Sequence, residues 1–133
     1  MNNEEIQKII LAVSKELETN YERNKIEHYG LADRTLIPFA TIESRSRVVR
    51  SEGTDEDRDI MICYDDENGW FIYDSIVQIG AGVKEIIRDE ATKLPKEKVI
   101  EQYQKLNLLE KMSFISTAYD ILHLKGNNIF DNF

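Results

Sequence analysis

Apolar residues recur along the first twenty positions at helical spacing. Ile6, Ile9, Ile10, Val13 and Leu17 stand at i, i+3, i+4, i+7 and i+11. The spacing predicts one amphipathic helix from about residue 4 to about residue 20, roughly 25 Å long. Asn2 or Asn3 is its cap, and Glu4 and Glu5 fall in the first turn, where the helix dipole favours acids. The segment 22-ERNKIEHYGLADR-34 has no period and reads as a connection. The run 35-TLIPFATI-42 is β-rich, but Pro38 cannot donate to a ladder and so predicts an edge or a bulge. The run 44-SRSRVVR-50 alternates in part and extends that strand. The segment 51-SEGTDED-57 reads as a polar turn. In 59-DIMICYD-65, Ile60, Ile62 and Tyr64 share one face of a strand, with Met61 and Cys63 on the other. Asn68-Gly69 then signals a two-residue hairpin turn, and 70-WFIYD-74 is the return strand.

Past Asp74 the period changes. Ile76, Ile79, Val83, Ile86 and Ile87 fit a helix, with Ser75-x-x-Gln78 as its capping box and Gly80 and Gly82 weakening it by about 1 kcal/mol each. The alternative carries the strand to Ile79 and starts the helix at Val83. Pro95, Val99, Ile100, Tyr103 and Leu106 mark a helix from about 95 to 107. Leu108, Met112, Ile115, Tyr119 and Leu122 mark another that stops near Gly126, with a link near Asn107 and a short tail, 127–133. The expected fold is a single α+β domain over residues 1–133. It has an N-terminal helix, a small antiparallel β-meander with the Asn-Gly hairpin, and about three C-terminal helices on one face.

Composition narrows the class. The chain of 133 residues has the length of one ordinary domain, and its 41% hydrophobic content supports one core. No run approaches the roughly 18 apolar residues of a membrane span. The N-terminal segment is acidic and lacks the basic region of a secretory signal. The single cysteine, Cys63, excludes an internal disulfide and fits a reducing, cytoplasmic setting. Cys63 with His28 and His123 gives no zinc spacing. Cys63 reads as a buried small hydrophobe rather than a nucleophile, because neither histidine is near in sequence.

Charge changes the picture more. The net charge is −8, and residues 52–67 hold eight acids against one base, Arg58. The rest of the chain holds 17 acids and 16 bases. A near-neutral body with one acidic segment has a directional field. As an EF-hand the segment fails: aligning Gly69 with the loop glycine puts Tyr64 at the first ligand position and Ser75 at the twelfth. Arg45, Arg47 and Arg50 stand beside the acids, and cross-strand pairing with Glu56, Asp57 or Asp59 is expected. A polyanion would be repelled by the acids, which disfavours nucleic acid as partner. Gly80-Ala81-Gly82 lacks a third glycine, since Glu85 stands there, and predicts close packing rather than a phosphate loop.

One motif resembles a catalytic family. 44-SRSR-47 precedes Asp57-Arg58-Asp59 entering a strand, and Asp74 follows on the next strand. The pattern resembles the metal-binding signature of polymerase-β-like nucleotidyltransferases, in which paired aspartates and a third carboxylate hold two Mg²⁺ ions. It departs from that signature in having Glu43 at the place of the glycine and Arg58 at the usually apolar position. The resemblance implies Asp57, Asp59 and Asp74 as ligands. The reading the charge favours instead is a non-catalytic interaction module with no cofactor or metal. It would bind a basic protein partner, a nuclease or toxin among them, as inhibitors and immunity proteins do. Its expected partner-binding residues are Asp55, Glu56, Asp57, Asp59, Asp65, Asp66 and Glu67, with Tyr64 or Trp70 as anchors. A homodimer through the helices near 95–125 is a third expectation.

Overall fold

The computed structural model describes residues 1–29, 33–49 and 53–123, without the side chains of His28 and Tyr29. Glu52, Arg50, the stop at Gly126 and the tail 127–133 lie outside the described residues. Helix α1 spans Asn3–Asn24. Asn2 is its cap, its side chain accepting the Glu5 N–H at 2.9 Å. The helix runs a turn longer than its period predicts. Asn20 breaks helical geometry there, and the last turn buries Tyr21 against Tyr64, with ring centroids 6.1 Å apart.

A five-stranded antiparallel sheet follows, in the order β1-β2-β3-β4-β5. The strands are β1 (Ile26–Tyr29), β2 (Arg34–Val49), β3 (Thr54–Asp65), β4 (Gly69–Gly80) and β5 (Val83–Lys93). The register of β2 on β3 shifts between Pro38 and Ala40, a bulge next to the residue that has no N–H to give. The β3–β4 turn closes between Asp65 and Gly69, a longer loop than the two-residue turn expected. Asp65 is buried there as the turn's own cap, accepting from the backbone N–H and from Nδ2 of Asn68.

The helix expected over 75–87 is a correction. Residues 75–80 complete β4, and 83–93 are β5. Ser75 and Gln78 are not a capping box, and Gln78 Nε2 instead donates to Glu56 across the strands at 3.1 Å. The physical reason is the open edge of β3. Ile76, Val77, Ile79, Val83, Ile86 and Ile87 are β-branched and fit a pleated surface, and a paired edge satisfies every backbone group that a glycine-weakened helix would hold loosely. Ala81 and Gly82, both at positive φ (50° and 76°), make the turn. Gly80 is needed for close approach: a Cβ there would meet the Gly53 carbonyl oxygen at 2.8 Å and Thr54 Cα at 2.9 Å.

A 3₁₀ turn (Lys96–Lys98), α2 (Val99–Gln104) and α3 (Leu108–Leu122) close the described chain. Asn107 caps α3 by accepting the Glu110 N–H at 2.8 Å, and His123, in left-handed geometry, ends it before Gly126 is reached. The apolar faces of α1 and α3 cover one face of the sheet: Ile10, Val13, Leu17, Phe114, Ile115 and Ile121 pack with Phe39, Ile62, Tyr64 and Trp70. Leu36, Met61, Cys63, Phe71 and Tyr73 form a second cluster. The Arg34 guanidinium lies 5.6 Å and 5.1 Å from the Phe71 and Tyr73 ring centres. The α+β class stands, with more sheet and less helix than the periods predict.

Ala81 carries a Cβ where the turn needs left-handed backbone, at a cost of about 1–2 kcal/mol. Ala81→Gly is expected to stabilise the protein by about 0.5–1 kcal/mol, after the greater unfolded-state freedom of glycine is subtracted. Urea unfolding measures it, and a helix over 75–87 would give the opposite sign.

Candidate functional site

Beyond Ile42, Met61 and Tyr73 neither core cluster continues along the sheet, apart from Ala91 packed on the second. The outer parts of β2–β5 form an arm that carries the charge. Strand alternation sorts its residues onto two faces. The pairing sets Val48, Asp55, Ile79 and Lys84 in one row across the arm. Ser46, Asp57, Val77 and Ile86 form the next row, and Ser44, Asp59, Ser75 and Asp89 the third, all on one face. On the opposite face the rows are Arg47, Glu56, Gln78, Glu85, then Arg45, Arg58, Ile76, Arg88, then Glu43, Ile60, Asp74, Glu90.

The second face neutralises itself. A row of three arginines lies between two acidic rows. Asp74 accepts from Arg58 at 3.1 Å and 2.9 Å and from Arg88 at 3.0 Å. Glu56 accepts from Arg47 at 2.9 Å and 3.2 Å. Arg45 pairs with Glu43. The Arg58 guanidinium, helped by Arg88, holds the Asp74 carboxyl below the usual carboxylate range. Arg47, with Gln78, does the same for Glu56.

The first face is different. Asp55, Asp57 and Asp59 form a column about 13 Å long on β3. Ser46 Oγ donates to Asp57 at 2.6 Å and Ser44 Oγ to Asp59 at 2.7 Å. Among the described residues no ion pair reaches any of the three. Neighbours in the column, about 7 Å apart, repel by only about 0.6 kcal/mol in water, so the arm tolerates them. Beside the column stand exposed apolar residues, Val48 (67% exposed), Ile79 and Ile86. A shallow depression of about 400 Å³ is lined by Ser46, Arg47, Val48, Asp55, Asp57 and Ile79.

The sequence-predicted residues thus separate. Asp55, Asp57 and Asp59 stand together, and Glu56 is on the other face with Arg47. Of the cross-strand pairing expected for the arginines with Glu56, Asp57 or Asp59, Arg47 with Glu56 forms, while Asp57 and Asp59 pair with neither Arg45 nor Arg47 because the register sets serines opposite those two acids. Asp65 is buried in its turn, and Asp66 and Glu67 are exposed at the far end of β3, about 35 Å along the strand from Asp55. Tyr64 and Trp70 are corrections: they are 7% and 4% exposed, held in the aromatic core, and offer no anchor to a partner. Asp57 and Asp59 point to one face and Asp74 to the other, between two arginines, so the three do not converge as the nucleotidyltransferase resemblance requires. Among the described residues no group of three or more His, Cys, Asp or Glu side chains is arranged to hold a metal. Cys63 is fully buried, and burial raises its thiol pKa. Val48, Ile79 and Ile86 beside the column were not singled out from the sequence, where no local alternation with the acids marks them. No helix of the described residues is long and apolar enough to cross a membrane. No family model, curated protein or solved structure matches the chain.

A carboxylate held below its ordinary value stabilises the fold above the unfolded-state value of about 3.9 and loses that contribution as pH falls through the folded-state value. Asp74→Asn is therefore expected to cost about 1–2 kcal/mol at pH 7. The gap to the parent should narrow below about pH 4. Urea unfolding at neutral and acid pH checks this, and a gap that stays constant excludes the arginine network as its origin.

Proposed function

We propose that the protein is a non-catalytic interaction module that binds a basic partner protein through the Asp55–Asp57–Asp59 face of the strand arm. The single observation that carries the reading is the contrast between the two faces of one sheet. Glu56 and Asp74 are neutralised by arginines, while the aspartate column two residues apart on the same strand is left to serine hydroxyls and solvent. The exposed Val48, Ile79 and Ile86 beside it give a partner apolar contact as well as charge. The fitting partner surface is basic and amphipathic, with lysine or arginine heads over the column and aliphatic stems on the valine and isoleucines. Nuclease inhibitors and immunity proteins cover cationic active sites with surfaces of this chemistry, and that is the partner class proposed. The net charge of −8 opposes nucleic acid as an alternative. The acids at Asp66 and Glu67 contribute long-range steering rather than contact.

The test uses a short amphipathic lysine–leucine peptide, titrated into isotopically labelled protein. Amide shifts are expected over 44–48, 55–59 and 77–79, with affinity falling as salt rises. Asp55→Asn/Asp57→Asn/Asp59→Asn should weaken binding at least about tenfold, while Asp66→Asn/Glu67→Gln changes it little. Equal loss in both variants, or shifts spread over the whole surface, would mean undirected electrostatics and would overturn the assignment. The triple variant should keep its stability within about 0.5 kcal/mol of the parent, as for surface substitutions generally.

A further inference from the structure

The edge of β2 that faces away from β3 is paired with β1 only between Arg34 and Leu36. Further along, side chains of α3 take over. The Glu110 carboxylate accepts the Thr41 N–H at 2.9 Å, and Ser113 Oγ donates to the Phe39 carbonyl at 3.0 Å. Glu110, Ser113, Thr117 and Asp120 stand at i, i+3, i+7 and i+10, one polar stripe spanning about 15 Å of the helix. The first two are committed to the strand edge. Among the described residues, Thr117 and Asp120 find no side-chain hydrogen bond or ion pair.

Between this stripe, the β2 edge and the end of α1 lies a groove of about 510 Å³, within the size range of small-molecule sites. Ile26, Ile37, Phe39 and Ile121 supply its apolar lining. Its polar lining is mostly acceptor. Asp120 and Glu110 bring carboxylates, Asn24 offers Oδ1 while one of its two Nδ2 hydrogens goes to the Asn20 carbonyl, and Ser113 has spent its proton on Phe39. No lysine or arginine is among the described residues that line it. A cavity with an apolar lining, two carboxylates and no cation among its described lining residues complements a group that only donates hydrogen bonds and carries positive charge.

We propose that this groove binds a small organic monocation, an ammonium or guanidinium head on an apolar stem, with the head beside Asp120 and the stem over Ile37 and Ile121. The site is separate from the aspartate column and stands or falls without it. Amide shifts are followed while benzylamine and n-butylguanidinium are titrated in, with benzyl alcohol and n-butylurea as neutral counterparts of similar shape. Saturable shifts are expected at Thr41, Ser113, Thr117 and Asp120, with the cations binding at least about tenfold more tightly than the neutral molecules. Asp120→Asn, an exposed position that folding does not depend on, should abolish that preference and leave the weak neutral binding unchanged. Equal binding of cation and neutral counterpart overturns the proposal. So do a preference that survives Asp120→Asn, shifts centred on 55–59 instead, and no saturation up to about 10 mM.

Discussion

The indole of Trp70 joins the two layers of the molecule. Its N–H donates to Ser14 Oγ at 2.7 Å, and that hydroxyl donates in turn to the Ile10 carbonyl one turn back in α1. A serine on the apolar face of a helix would otherwise be a buried cost. Here it receives the one polar atom of the largest side chain in the core. The ring lies between Phe39 at 4.6 Å and Phe114 at 5.9 Å, so β2, β4, α1 and α3 meet on it. This joint sits one residue past the β3–β4 turn. The helices are therefore anchored at one end of the sheet, and strands of eleven to sixteen residues run well past them.

An uncovered sheet must satisfy its side chains without a core, and the arm does so differently on its two faces. On one face Arg45, Arg58 and Arg88 lie between a row with Glu43, Asp74 and Glu90 and a row where Arg47 meets Glu56, and the Arg58–Asp74–Arg88 group crosses three strands. The other face has no such interleaving, although it uses the same strands: its three rows hold serines, aspartates and aliphatic residues with Lys84 and no arginine. The difference rests on register alone. A slip of one residue in β3 would put Asp55, Asp57 and Asp59 among the arginines and Glu56 and Arg58 opposite the serines. Asp65 at its turn and the bulges near Pro38 and Thr41 hold that register.

Much of the architecture was legible in the chain. The period from Ile6 to Leu17, the asparagine cap, a hairpin near Asn68-Gly69 (though not its loop length) and the interrupted strand around Pro38 each follow from local physics. Residues 75–93 were not, because isoleucines and valines spaced for a helix also suit a strand, and the deciding factor, an unpaired β3 edge, is tertiary. The concentration of acid was visible as a count, but 51–57 reads as a polar turn, and only β3 starting at Thr54 sorts Asp55-Glu56-Asp57-Arg58-Asp59 onto two faces. Which face finds arginines depends on β2 and β5, whose pairing no local pattern reveals. Trp70 and Tyr64 illustrate the same limit: an aromatic residue in a strand is equally suited to a core or a surface until the helices are placed. The stripe from Glu110 to Asp120 was readable as spacing, but its meaning required knowing that a strand edge lies opposite.

The meander pairs each strand with its neighbour in sequence, so the sheet assembles from local hairpins with little loop closure. The aromatic joint does not. Ser14 waits for Trp70, and the remaining face of α1 waits for Phe114 and Ile115. During synthesis at about 5–20 residues per second, α1 spends roughly 5–20 s before α3 emerges, with only the sheet residues Phe39, Ile62, Tyr64 and Trp70 to cover its apolar face. Until then the nascent chain carries a greasy helix that is only partly covered. Cellular chaperones would meet that helix, rather than the acidic arm, first.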